Sequence, residues 1–160
     1  MAKRSVSVRI RGHEFRVRVV GDGPERKELQ RVAHALGLTE VIQFTGQIPR
    51  ANLLAEFRQC DVFCLPSLQE GFGIAFLEAM AAGKPLVAVA ASSTPELIEH
   101  GVNGLLAQPN DQSDLADKLA HVLEDAGLRS RMAAANRAKA REYDLATTTT
   151  RMLDLLRQTM

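Results

Sequence analysis

The sequence predicts an α/β fold in which a parallel sheet is flanked by helices, and three observations predict it. From residue 15 onward, short runs rich in Val, Leu and Phe alternate with longer stretches whose apolar residues recur at three and four positions. Glycine and proline punctuate the junctions between the two kinds of segment. Composition is that of a packed domain: 46% apolar and 24% charged over 160 residues exclude both a disordered polyelectrolyte and a bilayer-resident chain. A chain of this length buries roughly 70% of the surface that it exposes when unfolded, so a core forms without disulfides or a structural metal.

Strands are expected over residues 15–20, 41–45, 61–66, 85–90 and 104–107. After the first, Gly21-Asp22-Gly23-Pro24 opens a helix carrying Leu29, Val32, Ala33 and Leu36 on one face, with Pro24 near its first turn, where a missing N–H costs nothing. A second helix carries Leu53, Leu54 and Phe57. A third spans about residues 73–82 and stops at Gly83, with Pro85 just beyond. Its stripe from Ile74 to Ala81 reads as core packing. After the last strand, Asn110, Asp111 and Ser113 offer caps to a helix carrying Leu115, Leu119, Val122 and Leu123, and a less apolar helix follows over about 128–142. Thr147 to Thr150 make a poor helix interior, after which Met152, Leu153, Leu155 and Leu156 form an apolar stripe. The division is a basic segment over 1–12, a Rossmann-like domain over 13–125 and a helical tail over 126–160.

The first dozen residues depart from this pattern. Val6, Val8 and Ile10 alternate with Ser7, Arg9 and Arg11, a turn-like stretch follows, and Phe15, Val17 and Val19 then alternate with Arg16 and Arg18. That is a half-exposed hairpin. A central parallel strand reads apolar on both faces, so the arginine face lacks the cover that such a strand needs.

Net charge is +1, unevenly placed: residues 1–18 hold six cations against Glu14, and the remainder is net acidic. One aromatic, Phe15, among those cations and no recognisable nucleic-acid module speak against nucleic-acid binding. Membrane contact is not expected either, because no continuous apolar stretch has signal-peptide or spanning length, and a cytoplasmic address follows. Cys60 and Cys64 fall on one face of an expected strand and read as inert reduced thiols, with a redox pair as the alternative. His13, His34, His100 and His121 lack paired ligands, so no metal is expected. Arg26 stands where a G-x-G-x-x-G motif places its third glycine, so no nicotinamide or flavin cofactor is expected at Gly21 and Gly23.

The chemistry concentrates in Glu70-Gly71-Phe72-Gly73-Ile74-Ala75-Phe76-Leu77-Glu78. This segment follows a strand and opens a helix, so the backbone from Gly71 to Ile74 presents free N–H groups at the carboxyl edge of the sheet, where open α/β sheets bind ligands. Unpaired amides and the helix dipole favour a phosphate there, and glycines allow close approach. Glu78, one turn after Ile74, is placed to accept protons from vicinal ribose hydroxyls. Glu70 is placed to hold a sugar hydroxyl or a developing positive charge. Each also has a plainer reading, as a turn glycine, a solvated helix residue or a capping acid.

Residues 70–85, EGFGIAFLEAMAAGKP, resemble the Glu-x7-Glu signature of retaining, nucleotide-sugar-dependent glycosyltransferases of GT-B architecture, family 4. Val19-Val20-Gly21-Asp22-Gly23-Pro24-Glu25 resembles that family's glycine turn, and Phe44-Thr45-Gly46 with Ile48-Pro49 its loop near the base. Asp61 to Ser67 is similar to the strand before the signature. Leu86-Val87-Ala88 with Thr94-Pro95-Glu96-Leu97-Ile98 is similar to the strand and loop after it, and Gly101-Val102-Asn103-Gly104-Leu105-Leu106 to the next turn. The resemblance runs from about residue 13 to 124.

The resemblance implies a Rossmann-like carboxyl-terminal donor-binding half, incomplete at its amino-terminal βα unit, whose loop normally brings an Arg and a Lys to the diphosphate. It implies that Glu78 holds the ribose and that Glu70, with the amides around Phe72 and Gly73, contacts donor sugar and diphosphate. Gly21, Gly23, Thr94 and Glu96 belong to the same donor-binding set, Glu96 equally reading as an early-helix acid. A glycine pair usual in that last loop is Ser92-Ser93 here. The implied partner is a nucleotide-diphosphate sugar, usually handled without a metal. The acceptor-binding half has no counterpart, so the chain alone is expected to lack useful transferase activity, and completion by an acceptor half or a second chain is implied. The alternative is a partner-dependent or non-catalytic subunit that binds a nucleotide sugar or another protein.

Overall fold

The computed structural model describes residues 15–143. The expectations for residues 1–12 and for the stripe beginning at Met152 lie outside them. Five strands and six helices are arranged in the order β1 (Val17–Val20), α1 (Arg26–Ala35), β2 (Ile42–Gly46), α2 (Arg50–Gln59), β3 (Phe63–Leu65), α3 (Ile74–Ala81), β4 (Leu86–Val89), α4 (Thr94–Leu97), β5 (Gly104–Ala107), α5 (Gln112–Glu124) and α6 (Ala126–Arg141). Every strand pairing is parallel. The pairings form two pieces, β1 with β2 and β3-β4-β5, so that among the described residues β1, β2, β3 and β5 each have one edge without a partner strand. Helix α2 joins the pieces: Glu56 accepts two bonds from Arg18 of β1, each 2.6 Å, while Phe57 packs its ring 5.4 Å from that of Phe63 on β3.

Burial follows the period of each element. All four residues of β4 are buried. Leu86 and Ala88 face a cluster with Phe57, Leu65, Phe76, Met80 and Ile98, whereas Val87 faces the opposite cluster of Leu105, Leu115, Val122 and Met132. On β1, by contrast, Arg16 and Arg18 are exposed and the intervening apolar residues are only half-buried. Arg16 lies exposed on this face, and Arg18 reaches Glu56 of α2 and Gln43 of β2.

Local chemistry sets the helix ends. Asp111 caps α5 by accepting the Asp114 N–H at 2.9 Å, and Asp125 caps α6 by accepting the Leu128 N–H at 2.7 Å. That bond is the main cause holding the Asp125 carboxyl below its ordinary value. Some local readings do not survive. Pro24 precedes the residue that caps α1, outside the helix, and of that helix's apolar stripe only Ala33 is buried, with Leu36 63% exposed at the end. Ile74 is 65% exposed and does not join the core that the rest of its stripe builds. Cys60 terminates α2, so the two cysteines do not share a strand face. The four-residue α4 accords with the reading of Glu96 as an early-helix acid.

Asn136 fastens α6 to the rest of the fold. Its buried amide donates to the carbonyls of Lys84 and Asn103, both at 2.7 Å, and Asn103 in turn accepts the Glu99 N–H and donates to the Leu97 carbonyl. Asn136→Ala strands two enclosed carbonyls and is expected to cost about 2 kcal/mol in urea unfolding, without a change in the slope of the transition. Cys64 packs against the second core cluster, and burial pushes its thiol up to about 12, which keeps it neutral and unreactive at pH 8. Timed thiol labelling at that pH should therefore modify Cys60 first and Cys64 only on unfolding.

Candidate functional site

Strands β3 and β4 are neighbours in register, Leu65 opposite Ala88, so the loops leaving their carboxyl ends emerge side by side. The first runs through Glu70 to Gly73 into α3; the second runs through Ser92 and Ser93 into α4. At Gly73 the backbone takes φ +74°, and a methyl there would meet Phe76 at 3.0 Å and Leu97 at 3.1 Å. Only glycine turns the chain this sharply with no room beneath it. Helix α3 consequently begins without a side-chain cap. The N–H groups of Gly71, Phe72, Gly73, Ile74 and Ala75 donate to no group among the described residues. Five successive unspent donors at a helix N-terminus form a surface that attracts an anion.

The serines fix that surface. The Ser92 hydroxyl donates to the Glu70 carbonyl at 2.8 Å, and the Ser93 hydroxyl lies 3.0 Å from the same oxygen and 2.5 Å from the Gly71 carbonyl. A carbonyl and the following N–H share one planar trans peptide. Holding the two oxygens toward the serines therefore aims the Gly71 and Phe72 N–H groups the other way. Ser92 sits at φ +52°, the left-handed conformation that glycine adopts freely.

The predicted residues gather into two groups. Glu70, half-buried, lies in the turn with its side chain beside Gly73, and Thr94 and Leu97 come from the facing segment. The Thr94 hydroxyl is buried with no hydrogen-bond partner. Glu96 is exposed in the first turn of α4, and Phe72 is 59% exposed, its ring edge-on to Tyr143 at 6.2 Å. Glu78 is largely covered, its side chain 17% exposed, and its Oε1 lies 2.9 Å from a guanidinium nitrogen of Arg50 at the start of α2. Gly21 and Gly23 form a separate turn: Gly21 donates to the Gly46 carbonyl at 2.9 Å, Asp22 accepts the Gly23 N–H at 2.8 Å, and Arg26 pairs with Asp22. Among the described residues no hydrogen bond joins this turn to the Glu70 loop.

Arg50 and the two serine hydroxyls are the residues that sequence reasoning passes over. For Arg50 there is a local signal, since a cation in the first turn of a helix opposes the helix dipole. For the serines the signal is their replacement of a glycine pair.

A parallel α/β domain with an amide-lined glycine turn at the carboxyl edge of its strands is a Rossmann-like half-domain, and known proteins narrow it further. Residues 4–139 match the family described as "Glycosyl transferases group 1", and the chain belongs to that family. It is 37% identical over 133 residues to a D-inositol 3-phosphate glycosyltransferase of Kribbella flavida, covering 81% of this chain and 31% of that one. It is 39% identical over 127 residues to a phosphatidyl-myo-inositol mannosyltransferase of Mycobacterium leprae, covering 79% and 33%. The chain thus spans about a third of the length of the curated relatives it matches. Among solved structures, Alr3699/HepE of Anabaena in complex with UDP is similar at a TM-score of 0.81 and 32% identity, over 90% of this chain and 41% of that one. The same protein is known in complex with UDP-glucose. Among the described residues no helix is long and apolar enough to cross a membrane.

The latch on Glu70 yields a paired expectation. Ser92→Ala keeps the strained backbone and loses the hydroxyl, and should cost about 1–2 kcal/mol by chemical denaturation. Ser92→Gly loses the same bond but relieves the strain, and should be destabilised by roughly half as much or less.

Proposed function

We propose that the chain is the donor-binding half of a retaining glycosyltransferase and that it binds a nucleotide-diphosphate sugar at the Glu70–Glu78 segment. The observation that carries this reading is the run of five unpaired N–H groups from Gly71 to Ala75, flanked by one half-buried and one largely covered carboxylate. Backbone donors with no internal partner, held in place before any ligand arrives, are preorganised for the negative charge of a diphosphate. An anion alone would not need the carboxylates. A neutral polyol attached to that anion does: Glu78 accepts from the vicinal ribose hydroxyls, and Glu70 from a hydroxyl of the donor sugar.

Transfer breaks the bond between the anomeric carbon and the diphosphate oxygen, and forms a bond from that carbon to an acceptor oxygen, whose proton passes to the departing diphosphate. Negative charge grows on the leaving diphosphate as the bond lengthens. The Gly71–Ala75 amides and the positive end of α3 stabilise that charge, and Glu70 faces the positive charge that develops on the sugar. Thr94, whose buried hydroxyl is unpartnered, contributes a donor on the facing wall, while Glu96, Gly21 and Gly23 shape the remainder of the donor surface. The acceptor surface lies on a complementary half, in cis or on a second chain. Without it, water reaches the reacting centre and transfer by this chain alone is negligible, since even one missing preorganised donor costs about 3 kcal/mol.

A second reading, a subunit that needs another polypeptide, is favoured by the strand edges of β1, β2, β3 and β5 that carry no partner among the described residues. It changes how the site is completed, not what the site holds.

Isothermal calorimetry with UDP, GDP and ADP sugars tests the donor site. One of the three is expected to bind, and Glu78→Gln should weaken it roughly ten- to hundredfold, the scale of hydrogen bonds to a charged group. Glu70→Gln should weaken the intact sugar nucleotide more than the corresponding diphosphate. No heat with any of them refutes the reading.

A further inference from the structure

We propose that Arg50 is a positioning residue that orients the Glu78 carboxylate for the ribose diol, an inference that rests on the donor-site reading above. Three observations combine. Arg50 occupies the first position of α2, where the positive end of the helix dipole disfavours a cation, so its placement has no local justification. Its guanidinium reaches across to α3 and meets Glu78 Oε1 at 2.9 Å, while Glu78 Oε2 has no partner among the described residues. The pair is unequal: the Arg50 side chain is 74% exposed and that of Glu78 only 17%.

An ion pair with one member so exposed adds little to stability, because solvent screens it and ordering a long side chain offsets the attraction. Its effect falls on the covered partner. A glutamate has three side-chain torsions, and a contact at one oxygen restricts where the other points. A carboxylate offers about four lone-pair sites, so one guanidinium N–H leaves room for two hydroxyl donors. Arg50 therefore orients the acceptor without competing for it. Its remaining N–H groups stay in solvent, which leaves the nucleotide's own hydroxyls as the groups that complete Glu78.

The consequence is a coupling between Arg50 and the ribose hydroxyls and not a general loss of affinity. The test measures binding of UDP and GDP, and of their 2′-deoxy counterparts, to the 160-residue chain and to Arg50→Ala, Arg50→Lys and Glu78→Gln, with thermal unfolding of each variant as a control. Arg50→Ala should weaken the ribonucleotide roughly three- to tenfold, the scale of ordering one side chain on binding, and weaken the 2′-deoxynucleotide, which keeps only its 3′-hydroxyl for Glu78, clearly less. The ratio between the two should collapse toward the one given by Glu78→Gln. Arg50→Lys, which retains a single N–H contact, should recover most of the ratio.

Unchanged discrimination in Arg50→Ala, or tighter ribonucleotide binding, overturns the inference while the donor-site reading stands. An equal loss for both sugars assigns Arg50 to another part of the ligand and overturns it as well. Failure of the unmodified chain to bind either diphosphate removes the donor-site reading and this inference together.

Discussion

Strand β4 is the constraint on which the rest of the structure depends. It is hydrogen-bonded on both sides and buried on both faces, and its alternation sends Leu86 and Ala88 to one core and Val87 to the other. Four residues thereby fix α3 above the sheet, α5 below it, and the register of β3 and β5 on either side. The register carries directly to the candidate site. Because Leu65 and Ala88 are paired neighbours, the two loops that leave these strands have no freedom to separate, and hydroxyls from one meet carbonyls of the other. The chemistry of the turn is thus a consequence of packing further back along the strands.

The site divides its polar groups by direction. Carbonyls of Glu70 and Gly71 are used internally, and the amides from Gly71 to Ala75 are left unused. A loop satisfied on both sides would be indifferent to ligands, and one satisfied on neither would be mobile. Satisfying one side gives stiffness and leaves the opposite side reactive. Glu78 repeats the pattern on a smaller scale, with one carboxylate oxygen engaged by Arg50 and one open.

Much of this is legible in the amino-acid order, for identifiable reasons. Buried parallel strands announce themselves as short apolar runs, and all five lie within one or two residues of their expected ends. Gly73 and Gly83 are readable as helix boundaries because few other residues tolerate φ near +70°. The turn is readable as an anion-attracting surface because a glycine turn opening a helix leaves amides without partners. The features that stay hidden depend on neighbours distant in sequence. The apolar stripe of α1 is helical in period, yet Val32 and Leu36 remain exposed, since periodicity reports a face and not what covers it. Ile74 shares the stripe of α3 but lies at its open end. Cys60 and Cys64 have strand spacing, but the chain is still helical at residue 59. The Arg50–Glu78 pair joins two helices separated in sequence by a strand, and the cation at the start of α2 marks Arg50 without naming its partner.

The uneven burial of the two sheet pieces has a further consequence for how the molecule breathes. The β1–β2 piece, with its half-buried strands and its bond to α2 through an exposed arginine, has far less apolar contact to lose than the β3-β4-β5 piece. Opening free energies in proteins follow such contact, and contiguous segments open as units. Amide protons of the first two strands are accordingly expected to exchange through a sub-global opening, sooner than those of β4. The Glu70 turn is anchored to the more stable β3-β4-β5 piece, while its own unpaired N–H groups stay open to solvent throughout.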